Sequence, residues 1–144
     1  MNKWDRRLLG LAKHVSHWSK DNSTHVGSVI ADANHRVISL GYNGPPQRVS
    51  DNFASREQKL LRTIHAEQNS ILFANVPLSG ATIYVTHPPC SRCASVIVQS
   101  GIARVVCCEA QDGFAERWAD DMREAESLFK EAGVVYEEVQ CANG

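Results

Sequence analysis

From residue 81 onward the chain alternates short apolar, β-branched runs with helix-periodic stretches, and this alternation limits its fold more than any other feature. Residues 81–86, 103–108 and 134–139 read as strands, separated by helices over 91–100 and 114–132. Strands with ten or more helical residues between them cannot pair as hairpins. They need crossover connections, which leave neighbouring strands parallel. Gly101 and Gly133 lie just past the two helices, where a left-handed residue ends a helix well. In the second helix Phe114, Trp118, Met122, Ala125 and Phe129 keep a helical register, and the aromatic residues are expected in the core.

The first half of the chain supplies different pieces. Trp4, Leu8, Leu11, Val15 and Trp18 recur every three or four residues, which predicts a helix over 4–18 with these side chains on one face. Residues 26–31 and 37–42 read as a strand hairpin turning at 32–35. Pro45 and Pro46 close it, because each removes a ladder donor. A polar stretch over 47–61 reads as a surface loop with some helix, and loops of that length are often functional. Residues 65–75 look helical. The expectation is an α/β fold in three layers: a central mixed five-stranded sheet with helices on both faces, forming a single domain over 1–144.

Charge and composition narrow the function. With 15 basic and 16 acidic residues the net charge is −1, so the basic excess that grips long nucleic acid is missing. No apolar run reaches the length of a membrane span, and the N-terminal stretch lacks the pattern of a signal peptide. The five cysteines are an odd number, which fits a reducing, cytoplasmic setting where clustered Cys and His more often mean metal. Cys107 and Cys108 are adjacent on a strand and point to opposite faces, so they read as buried core thiols. Cys141 falls in a C-terminal tail without a signal. His14 and His17 share a helix face and read as solvated, and His87 carries no assigned role.

Two segments carry chemistry: His65-Ala66-Glu67 and Pro88-Pro89-Cys90-Ser91-Arg92-Cys93. Both lie where a loop or strand end passes into a helix. One imidazole and two thiolates suit Zn²⁺, which takes four ligands, so a fourth position is left for water. A Cys-x-x-Cys at a helix start lets both sulfurs face one point, and the helix N-terminus favours their ionised form. Taken alone, that spacing also fits a redox pair or a closed zinc knuckle. Glu67 adds a carboxylate that can sit beside the metal without ligating it, able to take a proton from water and deliver it to a leaving group. His-x-Glu followed by Pro-Cys-x-x-Cys is the pattern of zinc deaminases.

With these residues the sequence resembles the deoxycytidylate (dCMP) deaminase branch of the cytidine deaminase-like superfamily, over roughly 18–139. Ser19-Lys20-Asp21-Asn22-Ser23-Thr24-His25-Val26-Gly27 is similar to that branch's Ser-Lys-Asp-Pro-x-x-x-Val-Gly opening, with Asn22 in place of the common proline. Gly41-Tyr42-Asn43-Gly44-Pro45-Pro46 is similar to its Gly-Tyr-Asn-Gly-x-Pro turn. The resemblance implies one catalytic Zn²⁺ held by His65, Cys90 and Cys93, with Glu67 as proton shuttle. It implies that the Ala66 amide and the Pro88 carbonyl hold the pyrimidine edge, that Asn43 contacts the sugar, and that Val26 lines the base pocket. The implied reaction is hydrolysis of dCMP to dUMP and ammonia, in a homo-oligomer, with no long nucleic acid and no membrane as partner. Arg48 and Lys20 are the expected phosphate donors. The loop over 45–51 lacks the Gly-Cys of regulated relatives, which argues against a second zinc and leaves control by dCTP and dTTP without its usual sequence mark. The rival readings are a deaminase of C5-modified dCMP, a tRNA adenosine-type deaminase, and a zinc-stabilised module without catalysis.

Overall fold

A computed structural model describes residues 1–111, 116 and 118–141. Helix α1 (Lys3–Ser16) precedes a hairpin of β1 (Gly27–Ala31) and β2 (Val37–Tyr42). Two short helices follow, α2 (Arg56–Arg62) and α3 (Ala66–Leu72). Then come β3 (Thr82–Val85), α4 (Ser91–Ser100), β4 (Arg104–Cys108), α5 (Ala119–Ala132) and β5 (Val135–Val139). The five strands form one sheet in the order β2-β1-β3-β4-β5. β1 is antiparallel to both β2 and β3, while β3, β4 and β5 are parallel, so α4 and α5 are the expected crossovers. Gly101 and Gly133 cap them with φ of 88° and 76°, a conformation that costs glycine nothing.

Both faces of the sheet are covered. On one, Ile30, Ile83, Val85, Val105 and Cys107 meet Ala94 and Ile97 of α4 and Ala125 and Phe129 of α5. On the other, Val29, Ala31, Tyr84 and Val106 lie under Leu8, Leu9 and Ala12 of α1. β1 is buried along its whole length, as expected of a strand covered on both sides. The mixed sheet with helices on both faces agrees with the sequence expectation.

Three expectations change. The buried face of α1 is Asp5, Leu8, Leu9, Ala12, Val15 and Ser16, rotated from the expected stripe. Trp4 stacks on His35 at the edge of the molecule, and Trp18 lies beyond the helix end, 49% exposed. The rotation follows from Asp5, which is 1% exposed and grips Arg104 of β4 through two bonds of 2.9 and 2.8 Å. Arg104 also binds Glu137 of β5, and the Tyr84 hydroxyl donates to Asp5. Second, Cys108 is not a free core thiol: it forms a disulfide with Cys141, just past β5. The two lie on the same side of the sheet, which chain spacing alone does not reveal. Cys107 faces the opposite core as a free, buried thiol, as expected. Third, Trp118 is 51% exposed at the start of α5 rather than buried. Phe114 lies outside the described residues.

The hydrogen bond and charge of Arg104 hold the Asp5 carboxyl below its ordinary value of roughly 3.9. A carboxylate with a depressed folded-state pKa adds stability above its unfolded value and loses it as pH falls through the folded one. Asp5→Asn is therefore expected to cost about 1–3 kcal/mol at pH 7 in urea denaturation, a range that allows for the quarter-exposed Arg104. The difference should shrink as pH falls below about 4. An unchanged midpoint at pH 7 would contradict this role.

Candidate active site

The site is assembled where two helices begin. α3 is pressed onto the sheet through Gly41: a Cβ there would run into the Ala66 carbonyl and lie 2.6 Å from the Ser70 amide. Ser28 of β1 fixes the same helix, its Oγ lying 2.7 Å from the Ala66 carbonyl oxygen and 2.8 Å from Ser70 Oγ. The N-cap of α3 is His65, whose amide donates to Gln68 Oε1. β3 pairs antiparallel with β1, Ser28 opposite Val85, so the chain leaving β3 passes through buried Pro88 and Pro89 to the start of α4 beside α3. Cys90 is the N-cap of α4, and its sulfur accepts from the Cys93 amide at 3.5 Å.

Three donor atoms converge there. His65 Nδ1 lies 3.2 Å from Cys93 Sγ and 3.5 Å from Cys90 Sγ, and all three lie within 4.8 Å of one another. Zn–S bonds of about 2.3 Å and Zn–N bonds of about 2.0–2.1 Å at tetrahedral angles give N···S edges of roughly 3.5 Å. One nitrogen and two sulfurs at this spacing therefore fit a zinc ion with one position open. Hydrogen bonds from the Cys93 thiol and from His65 draw the Cys90 thiol down to about 4. Cys93, which donates to Cys90 and is buried, is pushed up. His65 is raised by its bond to Cys90. Glu67, 4% exposed on the first turn of α3, is pushed up to about 7 by burial.

A cavity of about 450 Å³ opens over this cluster. His65, Ala66, Glu67, Pro88 and Cys90 line its floor together with Val26 and Asn43. Asn43 is buried, its Oδ1 accepting from the Val26 amide at 2.9 Å and its Nδ2 donating to the Thr24 carbonyl at 2.8 Å. Arg48 and Lys20 line an adjoining cavity of about 540 Å³ that shares Asp21, Asn43, Lys59 and Thr63 with the first. Among the described residues, the Lys and Arg side chains on the zinc-side cavity are Arg56 and Lys59 of α2. Lys59 is held by Asp21, Asn22 and Ser23, whereas Arg56 has no polar partner among the described residues. Sequence reasoning missed Arg56, and it missed Trp118, Asp121 and Met122, which bring the start of α5 to the cavity wall. Only the close spacing of those three residues hinted at a shared location.

Comparisons with known proteins agree with this arrangement. The family model for the cytidine and deoxycytidylate deaminase zinc-binding region matches residues 2–109. The chain belongs to this deaminase family. An uncharacterized deaminase from the luxG 3′ region of Aliivibrio fischeri is 46% identical over 136 residues, 93% of this chain and 92% of that protein. The deoxycytidylate deaminase of Mus musculus is 32% identical, covering 93% of this chain and 78% of its own. The crystal structure of dCMP deaminase from the cyanophage S-TIM5, in complex with dCMP and dUMP, superimposes with a TM-score of 0.79 at 20% identity, covering 96% of this chain and 99% of that one. At that identity the likeness speaks for the fold, the cytidine deaminase-like one.

Glu67 stands beside the donor cluster without belonging to it, so metal binding and proton transfer should separate on mutation. Glu67→Gln is expected to keep fold and zinc content while deaminase turnover falls by about 100-fold or more. Retention of more than about a tenth of wild-type turnover would contradict the role.

Proposed function

We propose that this deaminase hydrolyses dCMP to dUMP and ammonia, using one zinc ion held by His65, Cys90 and Cys93. The observation that carries the reading is a single cavity that joins this donor cluster and buried Glu67 to a cationic wall at Arg56. A volume of about 450 Å³ lies in the range of small-molecule sites. Relatives named deoxycytidylate deaminase support the substrate.

When bound, zinc makes a nucleophile of water at neutral pH. The chain's own residues do the rest. The Ala66 amide and the Pro88 carbonyl hold the polar edge of the pyrimidine, and Val26 packs on the base. Asn43, already fixed by the backbone of Thr24 and Val26, presents its remaining polar capacity to the sugar. Glu67 takes one proton from the attacking water and gives it to N3, then takes the second from the new C4 hydroxyl and passes it to the departing amine. Water is consumed, and the C4–N bond is replaced by a carbonyl as ammonia leaves.

Arg56 lines the cavity of the donor cluster and Arg48 the adjoining one, which supports Arg56 as a phosphate contact ahead of Arg48. The same proposal includes a homo-oligomer, for which exposed Leu60, Leu61, Leu72 and Phe73 offer contact surface, while the Cys108–Cys141 disulfide removes the cysteine argument for a reducing cytoplasm.

The test is ammonia release from a panel of dCMP, deoxycytidine, 5-methyl-dCMP, 5-hydroxymethyl-dCMP and an adenosine-containing RNA stem-loop. An unpaired phosphate site costs about 1–3 kcal/mol, so dCMP should exceed deoxycytidine about 10- to 100-fold in kcat/KM. Arg56→Ala should raise KM for dCMP and leave deoxycytidine unchanged, with a smaller effect from Arg48→Ala. Equal efficiency on dCMP and deoxycytidine would overturn the substrate assignment, and no ammonia from any substrate would overturn catalysis.

A further inference from the structure

Ser91 opens α4 and lies between Cys90 and Cys93. Its backbone N–H donates to Asp121 Oδ2 at 2.9 Å, and its hydroxyl donates to Asp121 Oδ1 at 2.6 Å. Asp121 belongs to the first turn of α5, the helix packed along α4. One carboxylate thus takes both donors of the residue that joins the two thiol-bearing positions, and it does so from a separate helix on the wall of the same cavity. Asp121 also lies outside residues 2–109, the segment that the family model matches.

An acidic residue in the first turn of a helix has an ordinary explanation, because the helix dipole favours negative charge there. Asp120 occupies the same turn and meets that need equally well. Its side chain is almost fully exposed, and its ion-pair partner is Arg123 of the same helix. Asp121 differs in reaching across to α4. The N-terminal turn of α4 has backbone donors without intrahelical partners. The Cys93 amide is satisfied by the Cys90 sulfur, and the Ser91 amide by Asp121. With both in place, the rotation of this turn about the helix axis is set, and with it the direction of the two sulfurs toward His65.

We propose that Asp121 is a positioning residue for the metal site, clamping Ser91 so that Cys90 and Cys93 face the ion together. The role rests on the zinc reading above. Groups that orient ligands in this way typically change metal affinity by about 10- to 100-fold when removed.

The experiment measures zinc release from the purified full chain to a chromophoric chelator, in wild type, Asp121→Ala, Asp121→Asn, Ser91→Ala and Asp120→Ala. Asp121→Ala should release zinc about 10- to 100-fold faster than wild type. Asp121→Asn, which keeps one acceptor oxygen, should fall between the two. Asp120→Ala should stay within about twofold of wild type, as an exposed charge does. Thermal unfolding of the metal-free proteins is the second readout: wild type and Asp121→Ala should unfold within a few degrees of each other. A large drop in the metal-free midpoint with zinc release unchanged would mean a purely structural role and would overturn the proposal. If Asp121→Ala fails to fold, Ser91→Ala, which removes one of the two bonds, should still accelerate release several-fold, and unchanged release would overturn the clamp. Wild-type protein that holds no zinc would overturn the zinc reading and the positioning role together. Normal zinc in wild type with unaltered release from Asp121→Ala would overturn the positioning role alone.

Discussion

Everything at the site depends on how closely α3 lies on the sheet. The helix backbone rests on Gly41, where any side chain would collide with Ala66 and Ser70, and Ser28 ties it down from the neighbouring strand. This contact fixes the height of His65 and Glu67 above the sheet. The antiparallel pairing of β1 with β3 then brings the start of α4 to the same place. Two helices that are far apart in the chain can share one point only because a buried hydroxyl and a missing Cβ let the first of them sit low. Gly27 plays a parallel part on the other face, against the Ala12 carbonyl and Ser16 amide of α1.

The chemistry follows from the order of residues at these two helix starts. The imidazole stands at the N-cap of α3 and a sulfur at the N-cap of α4, where partial positive charge favours anionic ligands. The carboxylate two residues past the imidazole turns into the cavity and loses its water, so the burial that raises its pKa also brings it near neutrality. A buried carboxyl that stands beside the donor cluster without belonging to it is placed to take and give a proton in the proposed reaction. A closed four-ligand zinc knuckle has no use for such a group, so its presence favours an open, catalytic site.

Much of this was legible in the chain because it is local. The glycine caps, the crossover pattern and the two metal-type segments each involve residues close in sequence, and the donor cluster forms among the residues singled out by their chemistry. What escaped was tertiary. The stripe from Trp4 to Trp18 looked apolar, yet the buried face of α1 turns toward Asp5, because an arginine on β4 and a tyrosine on β3 wait beneath it. Cys141 looked idle because its partner lies 33 residues away. Trp118 kept a helical register with Phe129 but begins its helix at the cavity mouth instead of continuing into the core. Arg56 lies in a polar stretch with no periodicity, so nothing marked it before α2 was seen beside the site.

X-ray absorption at the zinc edge reads the proposed open site of one nitrogen and two sulfurs without reference to activity. One zinc per chain is expected, with two sulfur scatterers at about 2.3 Å, one imidazole nitrogen at about 2.0–2.1 Å and one further light atom from solvent. Substitution of His65, Cys90 or Cys93 should remove its own scatterer from that shell. Zinc bound by four protein ligands, or a shell with other than two sulfurs, would rule out this open site.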